Sequence, residues 1–278
     1  MRGRTLIVQS DPEARERRLA GGLFFATCAS VFIVYLISWG GGPWESLQFA
    51  AALMGILLAH ELGHYAVARY HGFALSLPRF LPAPFWIGTL GAVIHLRDQP
   101  KTRAGLLEMG AAGPIAGLGV VFFVAMVRFL GADPAPAADS VQLSCPALLA
   151  ILGWCVTGSV PVISSSDPLL FAAWIGCLVT AMNLIPYGQL DGGHIFIAAF
   201  PDWARAMRWG VPGALIVGGF FWVGWWAWLV LLVAMGARHP IEIRKPEPHI
   251  DGRAWGLAAA ALVCWLLTLT VAPFPFSP

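Results

Sequence analysis

Leu47-Gln48-Phe49-Ala50-Ala51-Ala52-Leu53-Met54-Gly55-Ile56-Leu57-Leu58-Ala59 runs directly into His60-Glu61-Leu62-Gly63-His64. The first thirteen residues hold one polar side chain, Gln48, so the stretch reads as a helix lying in lipid. On a helix, positions four apart share a face, which brings the His60 and His64 imidazoles to one point. Glu61 follows within reach of a water at that point. Two imidazole nitrogens and a carboxylate base are what a hydrolytic zinc site uses, once a third protein ligand arrives. Ionisable groups at membrane depth cost at least ~2.5 kcal/mol each, so they mark function by default.

Composition bounds what surrounds this helix. Of 278 residues, 58% are hydrophobic and 12% charged. A soluble domain carries about 25% charged residues, so this chain cannot cover a water-facing surface. Thirty-one glycines and 21 prolines exceed what straight spans need and point to broken segments held within protein. The net charge of +2 argues for no nucleic-acid partner. Five cysteines stand singly with no CxxC pair, so no thiolate metal site or disulfide framework is indicated.

The expected fold is an all-α polytopic membrane protein of about six transmembrane helices. A short membrane-associated β-hairpin is expected near the active site. Residues 1–18 read as a polar, arginine-rich arm on the cytoplasmic side, and 19–278 as one transmembrane domain with its core at 46–200. Spans are expected at about 19–39, 46–70, 104–130 and 168–185. Pro78, Pro82 and Pro84 forbid a helix after the second span, and the β-prone, glycine-punctuated run from Phe85 to Leu96 reads as a strand or hairpin at the cytoplasmic side. Residues 131–146 suit the outer side, and 147–163 a partial or re-entrant helix. Arg205 and Arg208 read as a cytoplasmic loop. Residues 210–236 read as one span or as two helices hinged at Gly218-Gly219, the loop 237–253 as cytoplasmic, and a last span is expected at about 254–271.

The third metal ligand has several candidates in apolar context: Glu108, Asp167 and Asp191, with His95 and His194 as nitrogen alternatives. Asp191 is favoured because Pro186, Gly188, Gly192 and Gly193 let the backbone bend it toward a neighbour at the matching depth. Glu108 also suits a helix-start carboxylate, and His194 a supporting position beside Asp191. His71, His239 and His249 read as loop residues, and Trp222, Trp225, Trp226 and Trp228 as an interfacial belt.

The membrane-embedded His60-Glu61-x-x-His64, followed far downstream by Asn183-x-x-Pro186-x-x-x-Leu190-Asp191-Gly192, resembles the site-2 protease family of intramembrane zinc metalloproteases. Gly88-Thr89-Leu90-Gly91-Ala92-Val93-Ile94 is similar to the membrane hairpin of its bacterial members. Gly113-Pro114 is similar to the family's Gly-Pro motif, although Gly117 stands where an asparagine is usual. The resemblance implies one Zn2+ per chain held by His60, His64 and Asp191, with Glu61 as general base and acid. It implies that Asn183 holds the substrate backbone or oxyanion. It also implies single-span membrane-protein substrates and a minimal chain in the bacterial inner membrane, with its site toward the cytoplasm. The competing readings are a multi-span zinc protease with Glu108 as third ligand, and a metal transporter or non-catalytic zinc-binding membrane protein. Oligomeric state is left open.

Overall fold

The computed structural model describes residues 12–131, 141–234, 243 and 249–274. The part of the expected N-terminal arm up to residue 11, the acidic stretch holding Asp133 and Asp139, and most of the 237–253 loop, His239 included, lie outside the described residues.

Among the described residues, three helices are long and apolar enough to cross a membrane, and they form the first half of the chain. They are α1 (Pro12–Ser38), α2 (Pro43–Tyr70) and α3 (Arg103–Leu130). Pro43 opens α2 at a position where its missing N–H is not needed, and Thr102 caps α3 by accepting from Gly105 N at 3.1 Å. Large apolar side chains point outward along these helices, among them Phe25, Ile37 and Phe123, as lipid requires. The helix α1 starts inside the expected polar arm, because residues 12–18 continue its backbone instead of forming a separate segment.

Shorter helices follow: α4 (Ala147–Thr157), α5 (Pro168–Asn183), α6 (Asp191–Ala199), α7 (Ala204–Gly218), α8 (Gly224–Ala234) and α9 (Gly252–Thr268). The helix α4 has 11 residues, too few for the ~20 a bilayer needs, in line with the partial helix expected there. The described part of the 210–236 region, to residue 234, is two helices, turning at 219–223. Arg205 and Arg208 belong to the first turns of α7, not to a loop, since the chain re-enters a helix one residue after the 3-10 turn Pro201–Trp203.

The hairpin comprises β1 (Arg79–Pro82) and β2 (Thr89–Val93), antiparallel, with a bulge between Phe80 and Pro82. It runs along α1. Leu77 N donates to Glu16 Oε1 at 3.0 Å, Ser30 Oγ to the Ala83 carbonyl at 3.0 Å, and Trp39 Nε1 to the Trp86 carbonyl at 2.8 Å. Glu16 and Trp39 are ~35 Å apart along α1, so the strands and their turn lie beside most of that helix. Gly88, at φ +87°, makes this possible: a Cβ there would lie 2.3 Å from Val31 Cα.

The core sits where α2 meets α3 and α5. Tyr35 stacks on Phe49 with ring centroids 4.4 Å apart, and its hydroxyl donates to the Ser165 carbonyl at 2.9 Å. Arg128, near the end of α3, pairs with Asp167, which also caps α5 by accepting from Leu170 N at 3.0 Å.

Candidate metal centre

His60 lies 17 residues into α2 (60 − 43), about 26 Å from the Pro43 end and ~15 Å from the Tyr70 end. His60, Glu61 and His64 are all buried, at 4%, 8% and 9% exposure. The helix can carry them at this depth because α3 approaches so closely. A Cβ on Gly63 would lie 2.5 Å from the Ala112 carbonyl oxygen, and a Cβ on Gly113 would lie 2.1 Å from His64 Nε2. Gly117, where the related motif has asparagine, leaves room for His60: a Cβ there would lie 3.3 Å from His60 Cβ.

The other arm of the site comes from the break between α5 and α6. Helix α5 ends at Asn183, and the chain turns through Pro186 and Gly188, the latter at φ +56°. The turn folds directly onto the start of α6. Cβ atoms on Gly192 and Gly193 would lie 2.1 Å from the Leu184 carbonyl oxygen and 2.5 Å from that of Gly188. Two glycines therefore let the loop press against α6, and this aims Asp191, the first residue of α6, at the histidines. At the other end of α6, Arg103 donates to the Ala198 carbonyl at 2.8 Å.

His60 Nε2 lies 3.2 Å from Asp191 Oδ2, His64 Nε2 lies 3.2 Å from Asp191 Oδ1, and the two Nε2 atoms lie 3.1 Å apart. His64 Nδ1 donates to the Met109 carbonyl at 2.7 Å, which fixes its tautomer and leaves a lone pair on Nε2. A lone pair and a carboxylate at this distance repel unless a proton or a metal ion lies among them, and Asp191 Oδ2 is buried without a hydrogen-bond partner. Donors ~2.0 Å from a tetrahedral zinc stand about 3.3 Å from one another. The three edges fit that geometry, and His60, His64 and Asp191 are the group of side chains among the described residues that could hold a metal ion.

The remaining candidates are placed as follows. Asn183 Nδ2 lies 3.4 Å from His60 Nε2, at the rim of the triangle. Glu61 lies within electrostatic reach of all three donors. His194 sits one turn beyond Asp191, and a Cβ on Gly110 would lie 3.2 Å from its Cβ. His95 is exposed beyond β2, and Asp167 serves the α5 cap. Glu108 points away from the triangle, to His71 at 3.0 Å and Arg253 at 3.4 Å. His71 is thus no free loop residue: it ends α2 and its ring is held by a carboxylate. Two features escaped the sequence reading. The Met109 carbonyl is backbone and leaves no residue signature, whereas Glu108, an acid in an apolar helix, signals a partner without naming it.

Comparison with known proteins gives the same direction. The model of Peptidase family M50 matches residues 48–218. A probable zinc metalloprotease EGY2, chloroplastic, of Oryza sativa subsp. indica is 32% identical over 245 residues, covering 82% of this chain and 42% of the relative. The Arabidopsis thaliana protein of the same description is 30% identical over 247 residues, covering 84% and 43%. The Arabidopsis thaliana probable zinc metalloprotease EGY1, chloroplastic, is 34% identical over 168 residues, covering 56% and 30%. The chain thus spans about two-fifths of the length of the first two. No solved structure matches it.

Proposed function

Since this chain belongs to Peptidase family M50, we propose that it is an intramembrane zinc metalloprotease that hydrolyses peptide bonds in or beside transmembrane helices of other membrane proteins. The observation that carries the reading is the 3.1–3.2 Å triangle of His60, His64 and Asp191 donors, buried between α2, α3 and α6.

In this reading His60 Nε2, His64 Nε2 and Asp191 would hold one Zn2+, which when bound would activate a water and polarise the scissile carbonyl. Glu61, buried beside the triangle, would serve as the base that accepts a proton from water and the acid that returns one to the leaving nitrogen. Asn183, beside His60, donates its side-chain amide to the substrate backbone or to the developing oxyanion. A substrate helix hides its backbone in its own hydrogen bonds and must unwind locally before attack. The exposed edge of the β1–β2 pair offers an extended segment the backbone partners it then lacks.

Substrates are proposed to be single-span proteins, whose lone helix can leave the bilayer without disrupting a bundle. Arg97, Lys101, Arg103, Arg205, Arg208 and Arg253 support placing the Tyr70 end of α2, and with it the nearer mouth of the site, at the cytoplasmic face. The membrane is proposed to be a bacterial inner membrane, as in the members whose hairpin residues 88–94 resemble. The relatives above carry a chloroplastic description, and fractionation of the native host tests the point.

The test is cleavage of a tagged single-span protein by purified chain in detergent. Cleavage that a zinc chelator stops, and added Zn2+ restores, supports the reading. Full metal binding with no cleavage of any single-span substrate favours a non-catalytic zinc protein.

A further inference from the structure

We propose that the buried contact between His71 and Glu108 is a positioning device for the metal centre: it sets how far α3 lies along α2, and so where the Met109 carbonyl meets His64. The inference rests on the metal-site reading above and goes beyond it.

Glu108 lies in the second turn of α3 at 4% exposure. A carboxylate there is costly unless charged or polar partners surround it. His71 Nε2, at the end of α2, lies 3.0 Å from its Oε2, and an Arg253 guanidinium nitrogen, from the first turn of α9, lies 3.4 Å from the same atom. The next residue, Met109, takes the His64 Nδ1 proton at 2.7 Å. Two polar rungs therefore join α2 to the same turn of α3, one of them on a proposed zinc ligand.

Beside these rungs α2 and α3 pack closely, and a Cβ on Gly63 would lie 2.5 Å from the Ala112 carbonyl oxygen. On α3, Gly113 receives the His64 ring and Gly117 lies against His60, while Gly110 faces the start of α6, where a Cβ would lie 3.0 Å from the Asp191 carbonyl oxygen. A slide of one residue is ~1.5 Å, enough to break the 2.7 Å bond to Met109. The His71–Glu108 rung opposes that slide, and Arg253 brings the start of α9 into the same clasp. Arg128–Asp167 joins α3 to α5 at the opposite end of α3 without touching a residue of the triangle, which makes it a matched comparison.

The test uses the full chain in detergent with Co2+ alone as probe. Affinity is read by chelator competition, and geometry by the cobalt d–d absorption. His71→Ala and Glu108→Ala should each bind Co2+ about 10- to 100-fold more weakly and alter the band shape, as loss of an orienting partner does. The double variant should be no weaker than the worse single one, and Glu108→Gln, which keeps a hydrogen-bonding side chain, should fall closer to wild type. Asp167→Asn should lower the unfolding temperature while keeping wild-type Co2+ affinity. Wild-type affinity and spectrum in both alanine variants overturn the proposal, as does an equal loss in Asp167→Asn. If Glu108→Ala does not fold, His71→Ala, at a helix end, decides alone. Failure of the wild-type chain to bind Co2+ at all overturns the metal-site reading itself and is distinct from either result.

Discussion

His64 Nε2 fills the space that a side chain on Gly113 would need: a Cβ there would lie 2.1 Å away. The metal helix and α3 are thus fitted to each other at one atom. Gly113→Ala should displace the imidazole, lowering zinc affinity at least ~10-fold and cleavage at least ~100-fold, since small misplacements cost that much. Zinc titration and a cleavage assay on the same preparation check this. Wild-type values for both would show that α3 can retreat at no cost.

Glu61→Gln should leave zinc content unchanged and slow cleavage by about 100- to 10,000-fold, the usual range for a lost proton-transfer group. Glu61 is buried beside the triangle but is not one of its corners. Metal analysis alongside turnover separates the roles. Loss of zinc in this variant would make Glu61 a ligand.

Asp191→Ala removes the corner that comes from α6. Both imidazoles stay on α2, yet two nitrogens alone hold zinc far more weakly than three donors. The purified variant should contain almost no zinc after dialysis, whereas Asp167→Ala should retain it. Stoichiometric zinc in Asp191→Ala would require another side chain to take its place.

Gly192→Ala should act through the backbone. The new methyl would meet the Leu184 carbonyl oxygen at 2.1 Å, so the 184–190 turn must move or α6 must tilt. Overpacking of this kind costs about 1–3 kcal/mol. A lower unfolding temperature together with weaker zinc binding is expected. A change in unfolding temperature without one in zinc binding would mean that the turn, not Asp191, absorbs the shift.

Much of this architecture was legible before any coordinates. Unbroken apolar length marks α2 and α3, and the spacing of His60 and His64 survives any choice of tertiary contacts. Pro186, Gly188 and the Gly192-Gly193 pair announce a bend beside Asp191, because no other residues permit one so sharp. The Met109 carbonyl could not be read, since every residue has one and only packing selects which is used. The His71–Glu108 contact joins residues 37 apart and needs the α2–α3 register to be known first. The seat of the hairpin along α1 was hidden for a similar reason: Ser30, Trp39 and Gly88 carry no mark of their partners. That α1 begins at Pro12 could not be read either, because arginines and glutamates suit a solvated helix turn as well as an irregular arm.

Asp191 and His64 are far apart in sequence and face each other at 3.2 Å, a gap that one small ion would bridge. A cation seated there would staple the two halves of the chain as a covalent cross-link does, closing a loop long enough to penalise the unfolded state heavily. Stripping it should therefore soften the molecule against heat as well as silence it, so inactivation and loosening would share a single cause.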